Sequence, residues 1–504
     1  MPELTRWKAH PHCGRSLISH ASMNPSDVLA AIWQLGGLPV EALHHARLTG
    51  SDPVLPSSFA VGTAAQATIA AAALAACELR HARGQPRQDV AVDMTHAALE
   101  CTGWFSINGR TPDIWDKFSG LYACADGWVR IHANFAHHRN GALRLMGLPP
   151  DTASRADAER AMRGWRAAEF EQAAADAGLV VAAVRSFDEW GNLPQGQAIA
   201  AQPLMTFERL GDAPPLALPP LGHEDRPLTG VRVLDLTRIL AGPVCGRTLA
   251  AYGADVMLIN APHLPNIESI ADTSRGKLSA HIDLQTAEGR ATLEQLVSGS
   301  HVFVQGYRPG ALQAHGFGPE ALSQRRPGVV YVSLSAYGQE GPWAARRGFD
   351  SLVQSAMGFN LAEAEAQAQA QAETQAEAQA QAQAAGISST PPPSPKPLPM
   401  QILDYGAGHL MAFAVSAALR RQQMEGGSWH VRISLAQVGH WLRSLGRVDN
   451  GFACSVPDRT PYIETNASGF GELAGFRHSA RLSATPVQQG RPSVPPGTHL
   501  PAWP

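Results

Sequence analysis

GVRVLDLTRILAGP, residues 230–243, is the stretch on which the fold turns. Val231–Leu236 is a short apolar run of strand length, and Ala241-Gly242-Pro243 is a small-residue turn. A helical segment over Val244–Tyr252 and a second apolar run, Ala254–Ile259, follow. Strand, helix and strand in that order open an α/β layer with a parallel sheet. The first strand-to-helix turn is where such a layer receives a nucleotide-like ligand. Downstream the rhythm continues. Thr286–Leu296 reads as a helix, His301–Gln305 as a strand, Pro309–His315 and Pro319–Arg325 as short helices, and Val329–Leu334 as a strand. The loop Gly338–Gly348 leads into a helix over Phe349–Phe359. This spacing implies parallel pairing with right-handed crossovers.

Upstream, Pro25–Leu35 has a helical pattern and Ala64–His81 is an alanine-rich helix built for close packing. Val90–Met94 is a short strand, and Gly120–His132 a hairpin about Asp126-Gly127. Arg155–Asp176 reads as one helix capped by Ser154. Val180–Val184 reads as a strand, and Ser186 with Glu189 as the capping box of another helix. Pro-rich 213–227 is a linker. Residues 362–385 are an Ala/Gln/Glu tract with no apolar stripe, followed by a proline-rich spacer. Together they are expected to be an exposed, dispensable insertion. Asp404–Arg421 is a second small-residue helix, His430–Leu435 a strand, and the tail from Asn450 irregular. Gly62–Gly84 aligns without gaps on Asp404–Gly426, each segment being followed by a strand, which indicates a partial duplication with Gly62 opposite Asp404.

The 504 residues can bury a large core in about two or three domains. Forty basic and 43 acidic residues nearly cancel, which gives no sign of a nucleic-acid surface. The six cysteines lack CxxC spacing and read as buried or half-buried thiols. No signal-peptide core opens the chain, and Ala64–Cys77 is too short to span a bilayer, so a cytoplasmic protein without membrane attachment is expected. No residues have metal-ligand spacing; His96, His132, His137 and His138 read as structural or solvated. There is no GxGxxG, Walker A or GxSxG motif.

Several stretches resemble the type III coenzyme A transferases (the CaiB/BaiF group, with formyl-CoA and carnitine CoA-transferases). They are GVRVLDLTRILAGP, YGADVMLINAP, SRGKLSAHIDLQTAEG, VFVQGYRPGAL, VYVSLSAYGQEGPW and RRGFDSLVQSAMG. The helix from Asp404 is similar to the one carrying the family's catalytic aspartate, and 118–210 to its small second domain. The small domain here precedes the nucleotide fold instead of following the aspartate helix. The implied fold is a Rossmann-like α/β domain with a smaller α+β domain, reordered and partly duplicated. The expected units are 1–56 (no assigned role), 57–117 (a degenerate aspartate-helix unit), 118–212 (the small domain), 213–227 (the linker) and 228–361 (the CoA-binding fold). After them come 362–399 (the insertion), 400–449 (the aspartate-helix unit) and 450–504 (the tail).

The resemblance implies transfer of CoA from an acyl-CoA to a small carboxylic acid through an aspartyl-CoA thioester on Asp404, a covalent route that splits one hard step into easier ones. Coenzyme A is then substrate and product, with no tightly bound cofactor, and an interlocked homodimer is implied. A helix start suits the anion of Asp404, and Gly406 and Gly408 are expected to leave room for a thioester. Arg308, Pro309, Gly310, Lys277, Arg238 and Leu240 are expected at the CoA, and Gly338, Gly341, Arg346 and Arg347 at the acyl group. The family's racemases carry a histidine just before the aspartate that matches Asp350; Phe349 stands there. That favours transfer over α-epimerisation of acyl-CoA, the first alternative, while an inactive CoA-binding relative is the second.

Overall fold

The computed structural model describes residues 23–380, 394–488 and 490–504, with side chains described to 372 in the first stretch. Its main layer is a seven-stranded sheet. Six strands are parallel: β1 (Arg232–Leu236), β2 (Asp255–Asn260), β3 (Leu278–His281), β4 (Val302–Gln305), β5 (Val330–Ser335) and β6 (Ser428–Ser434). Across the sheet they lie in the order 3-2-1-4-5-6, and an antiparallel edge strand, Met205–Gly211, closes the β6 side. The fold is therefore mixed α/β with a large, mostly parallel sheet. The order reverses between β1 and β4, which puts the ligand crevice at their carboxyl ends. RVLDL, VFVQ and VYVSLS form these strands because both faces are covered, and a strand buried twice has no polar face to alternate with. β3 escaped the sequence pattern because its four residues, LSAH, carry only one large apolar side chain.

Four helices position the site: α1 (Val61–Ala82), α2 (Ala241–Ala251), α3 (Asp350–Met357) and α4 (Ile402–Glu425). α1 and α4 pack against each other and are buried for almost their whole length. Alanine dominates both because a methyl group lets two helix axes approach where larger side chains would hold them apart. Each is long and apolar enough to cross a bilayer, which corrects the expectation for Ala64–Cys77; the apolar window of each is wholly buried within the chain. The helix Pro25–Gly36 rests on them, with Trp33 and Phe413 6.0 Å apart between ring centres.

The surroundings of the two aligned helices are also alike. Ala46–Thr49 pairs in parallel with Val90–Asp93, which takes Ala480–Leu482 as an antiparallel neighbour. The large sheet repeats this arrangement with β5, β6 and the edge strand Met205–Gly211. In both copies the long helix connects the two parallel strands, and an aspartate outside the helix caps its start. Asp52 accepts from the N–H groups of Gly62 (3.1 Å) and Thr63 (2.9 Å), and Asp350 accepts from that of Asp404 (3.0 Å). A Cβ on Gly62 would lie 2.4 Å from Asp52 Oδ1 and 2.5 Å from Val54 Cγ2, so the first copy has no room for a side chain there.

Residues 118–183 build a three-stranded sheet, Gly120–Ala123, Trp128–Ile131 and Val181–Ala183, backed by two helices. The single helix expected over Arg155–Asp176 is broken into Arg155–Met162 and Ala167–Asp176 at the turn around Gly164. Ser154 and Ser186 each form a complete capping box, with Asp157 and Glu189.

Arg80 and Arg83 hold the linker through the carbonyls of His223, Asp225 and Pro219. Two expectations about other segments need correction. The tail is not irregular. Ile463–Ser468 and Gly471–Phe476 pair with each other, and the second strand extends onto Phe105–Ile107. Nor is the Ala/Gln/Glu tract passive at its start. Phe359–Ala380 is a helix, and its Glu363 is fully buried, accepting from the N–H (2.9 Å) and hydroxyl (2.6 Å) of Ser58 and the hydroxyl of Ser57 (3.2 Å). The proline-rich spacer to 393 lies outside the described residues, as do residues 1–22 with Cys13.

Candidate active site

The first strand-to-helix turn is held by a buried ion pair. Lys277 Nζ donates to Asp235 Oδ2 on β1 and to the carbonyl of Pro243 in α2, both at 2.8 Å, and neither charged side chain has any exposed surface. Lys277 therefore cannot reach a ligand, contrary to the expected CoA contact; it fixes the turn. Gly246 is required beneath it, since a Cβ there would sit 2.2 Å from Asp235 Oδ2. Between strand and helix, Ile239 has φ +76°, a left-handed conformation that a β-branched residue adopts only under constraint. Leu240, expected beside the ligand, is buried as the N-cap residue of α2 and supplies no side-chain cap. The uncapped N-terminus of α2 faces the crevice with its positive dipole end.

α4 meets α2 at that turn. Gly408 approaches so closely that a Cβ would be 2.6 Å from the Ala241 carbonyl and 2.8 Å from Val244. Gly406 likewise lies against Val438. Gly408 therefore serves helix packing and leaves no space for a thioester, which corrects the expectation for it. The packing has a consequence for Asp404. It lies four residues before Gly408, on the same face of α4 and one turn away, so the α2 N-terminus is brought to within roughly one helical pitch of it.

Asp404 is the third residue of α4, with Gln401 at the N-cap, so it is not the cap of its own helix. That task falls to Asp350. One Asp350 oxygen accepts from Asp404 N–H and the other from Gln354 Nε2 at 2.5 Å. Asp350 is wholly buried, while 6 % of Asp404 stays exposed. No hydrogen bond to the Asp404 carboxylate forms among the described residues. Burial and the Asp350 charge push the Asp404 carboxyl well above the usual carboxylate range. Burial raises Asp350 to about 7, against its hydrogen bonds and the attraction of Arg130. Asp350 has donors for a negative charge and Asp404 has none, so the unliganded pair keeps its shared proton on Asp404.

The small domain of the same chain covers this pair. His132 stacks on Phe349, the residue before Asp350, at 4.0 Å between ring centres. Phe135 lies beside Phe349 at 6.3 Å, with Arg238 over its ring at 5.5 Å. Arg347 Nη1 donates to His138 Nε2 at 3.2 Å. Arg308, Pro309 and Gly310 form an exposed corner beyond β4; burial first, and then the Arg308 charge, lower the Arg347 pKa. Burial and neighbouring cations push His132 and His138 down to about 3, so both are neutral at neutral pH.

The remaining expected residues lie elsewhere. Arg346 points to the small-domain helix, where Nη2 donates to Gln172 at 2.6 Å and Nη1 lies 3.7 Å from Glu171. Gly338 and Gly341 have φ of +87° and +82° and pack against Ile199 and Gln195. Gln195 binds the carbonyls of Tyr337 and Glu340, so this loop is a docking surface for the helix Pro194–Ala200. Sequence reasoning treated Asp350 only as a landmark and set His132 and His138 aside. It also missed the buried network behind the turn, in which Arg247 of α2 bridges Glu100 (3.0 Å) and Asp272 (2.5 Å), and Arg275 joins Asp272 (2.8 Å).

The model of CoA-transferase family III matches residues 40–218 and 228–461. An acyl-CoA transferase of Gibberella moniliformis is 30% identical over 320 residues, 56% of this chain and 56% of its own length. A probable fatty acyl-CoA transferase of Mycobacterium tuberculosis is 29% identical over 239 residues, 45% of this chain and 54% of its own. A crystal structure of a hypothetical protein from Mycobacterium tuberculosis is 31% identical, with a TM-score of 0.35, covering 44% of this chain and 57% of that one. The chain thus spans about half the length of the curated relatives it matches.

Proposed function

The chain belongs to CoA-transferase family III, and from that premise we propose that it moves coenzyme A between carboxylic acids with Asp404 as nucleophile. The observation that carries the reading is the Asp404 carboxyl itself: unpartnered, beside a second carboxyl, and one turn from an uncapped helix N-terminus. A structural aspartate at this depth would be hydrogen-bonded or paired.

In this reading Asp404, ionised beside the Asp350 charge, attacks the acyl-CoA carbonyl carbon through a side-chain oxygen. The C–S bond breaks, leaving an aspartyl–acyl anhydride and CoA thiolate. The thiolate attacks Cγ of Asp404, the acid departs as its carboxylate, and an aspartyl-CoA thioester remains. A second carboxylate attacks Cγ to form a new anhydride and release the thiolate, which attacks the new acyl carbon and frees Asp404. The positive end of α2 favours the oxyanions formed at each attack. The CoA nucleotide occupies the switch-point crevice, where Leu236, Ile259, Tyr307 and Leu312 line a cavity at the ends of β1, β2 and β4. Arg308 follows the lining residue Tyr307 and Arg238 donates to the carbonyl of Pro265, next to the lining Leu264, so these two arginines would meet the phosphates.

The two copies make the chain a reordered, internally duplicated member in which the small domain of the first half covers the site of the second. One polypeptide then supplies both sides of the site, whether or not it also pairs with a second copy. A cytoplasmic location is part of the same proposal. The test is chemical trapping. Incubation with acyl-CoA and hydroxylamine should leave a hydroxamate on Asp404, found by peptide mass spectrometry; no modification with any donor would refute the proposal. His132 places an imidazole against Phe349, so deuterium wash-in at the substrate α-carbon is the control arm, and exchange without acid transfer would assign epimerase chemistry instead.

A further inference from the structure

Four arginines converge on the covered side of the site, and none has an acidic partner in an ion pair. Arg130 comes from the small-domain strand, Arg238 from the first turn, Arg308 from the corner after β4 and Arg347 from the loop before α3; no salt bridge includes any of them among the described residues. Their neighbours Arg139, Arg185 and Arg346 all reach carboxylates. Arg308 is solvated and Arg130 is drawn to the Asp350 charge, but the half-buried Arg238 and Arg347 face no carboxylate, and guanidinium groups brought together repel one another unless an anion joins them.

The polar atoms around these arginines also lack partners. Arg130 Nε, Arg238 Nε, His132 Nδ1 and His138 Nδ1 are buried without a hydrogen bond. His132 and His138 are 4 % and 5 % exposed. Because Arg347 donates to His138 Nε2, the proton of this neutral imidazole is on Nδ1, which makes Nδ1–H an unused donor. The rings form a compact group, with His132, His138 and Arg238 each within 6.5 Å of Phe135 or Phe349. Arg130 acts on the charge of Asp350, which holds the Asp404 backbone N–H, so this group adjoins the carboxyl pair.

An apolar acyl tail would bury these donors unsatisfied, a cost of about 1–3 kcal/mol for each group. We infer that Arg130, Arg347, His132 and His138 form a carboxylate subsite, and that the transferred acyl group is that of a dicarboxylic acid whose free carboxylate is held there while its other end meets Asp404. Arg238 and Arg308, nearer the strand ends, stay with the CoA phosphates. The inference rests on the CoA-transfer reading for its geometry and concerns the substrate class of the same site.

The test is calorimetric titration of the whole chain with acids matched in length: succinate against butyrate, glutarate against valerate and adipate against hexanoate. The expected result is at least tenfold tighter binding of the dicarboxylate in the best-fitting pair. Arg347→Met should remove that preference without changing the monocarboxylate affinity, and Arg347→Lys, which keeps the charge, should restore part of it. Equal affinities in all three pairs, or an equal loss of both acids in Arg347→Met, overturns the inference. The two proposals fail separately. Hydroxamate on Asp404 without dicarboxylate preference sinks only the subsite, and preference without any trapping sinks only the transferase chemistry.

Discussion

Replacing Asp350 with asparagine separates the two carboxyls that share a proton beside the crevice. The amide of Asp350→Asn would keep one oxygen to accept from Asp404 N–H, so the start of α4 stays capped, but the negative charge is gone. Asp350 Oδ2 is 3.0 Å from the Asp404 backbone nitrogen, which places the two carboxylates roughly 5 Å apart. At that separation and an effective dielectric near 20, two unit charges repel by about 3 kcal/mol, equivalent to about two pH units. The proposed chemistry needs ionised Asp404, so the acid limb of kcat/KM for CoA exchange should move down by about one to two units in Asp350→Asn. The maximal rate should fall, because an Asp404 anion no longer raised in energy by the Asp350 charge is a weaker nucleophile. Stability supplies an independent reading. A carboxyl near pH 7 in the native state and ~4 unfolded binds its proton more tightly when folded, so stability declines as pH rises between those values. The full shift corresponds to about 4 kcal/mol. Thermal melts of the wild type should therefore weaken from about pH 5 to 8 by more than those of Asp350→Asn. An acid limb that stays in place, or moves up, would refute the assignment of Asp350 as the charge opposing Asp404.

Three other substitutions probe the frame. Lys277→Met strands the buried Asp235 charge and should cost about 3–5 kcal/mol in chemical denaturation, where a CoA ligand at the surface would cost almost nothing. Gly408→Val forces α4 off the Ala241 carbonyl and should impair CoA exchange far more than Gly310→Val at the exposed corner, measured as kcat/KM. Glu363→Ala leaves the Ser57 and Ser58 donors unsatisfied in the core and should lower stability by about 2 kcal/mol, whereas an inert tract would show no change in melting temperature.

What the sequence disclosed follows from the range of the forces involved. Strands β1, β2, β4 and β5 announce themselves because burial on both faces demands consecutive apolar residues, and the capping boxes at Ser154 and Ser186 because they close within three residues. Asp404 stood out through resemblance alone; its lack of partners is a fact of packing that no local pattern carries. Lys277 was misread because its partner Asp235 lies 42 positions away, and a lysine without a visible partner looks like a surface charge. The Arg247–Glu100 bridge, 147 positions apart, was beyond reach for the same reason. His132 and His138 looked dispersed because the groups they face, Phe349 and Arg347, come from the other half of the chain. The tail strands were hidden by their glycines and polar residues, since their pairing is dictated by Phe105–Ile107 and Val90–Asp93 rather than by their own composition.

The filled niche at Gly62 sets a stoichiometry. With Val54 and Asp52 occupying the counterpart of the proposed nucleophile's position, an exhaustive label with a reactive thioester should plateau at a single equivalent per polypeptide. If Asp404 is the nucleophile, turnover should follow a plain hyperbola in each substrate, because the counterpart of Asp404 at Gly62 is filled. In the proposed chemistry the first half braces the second: its long helix lies against α4 and His132 of its small domain stacks on Phe349 beside Asp350.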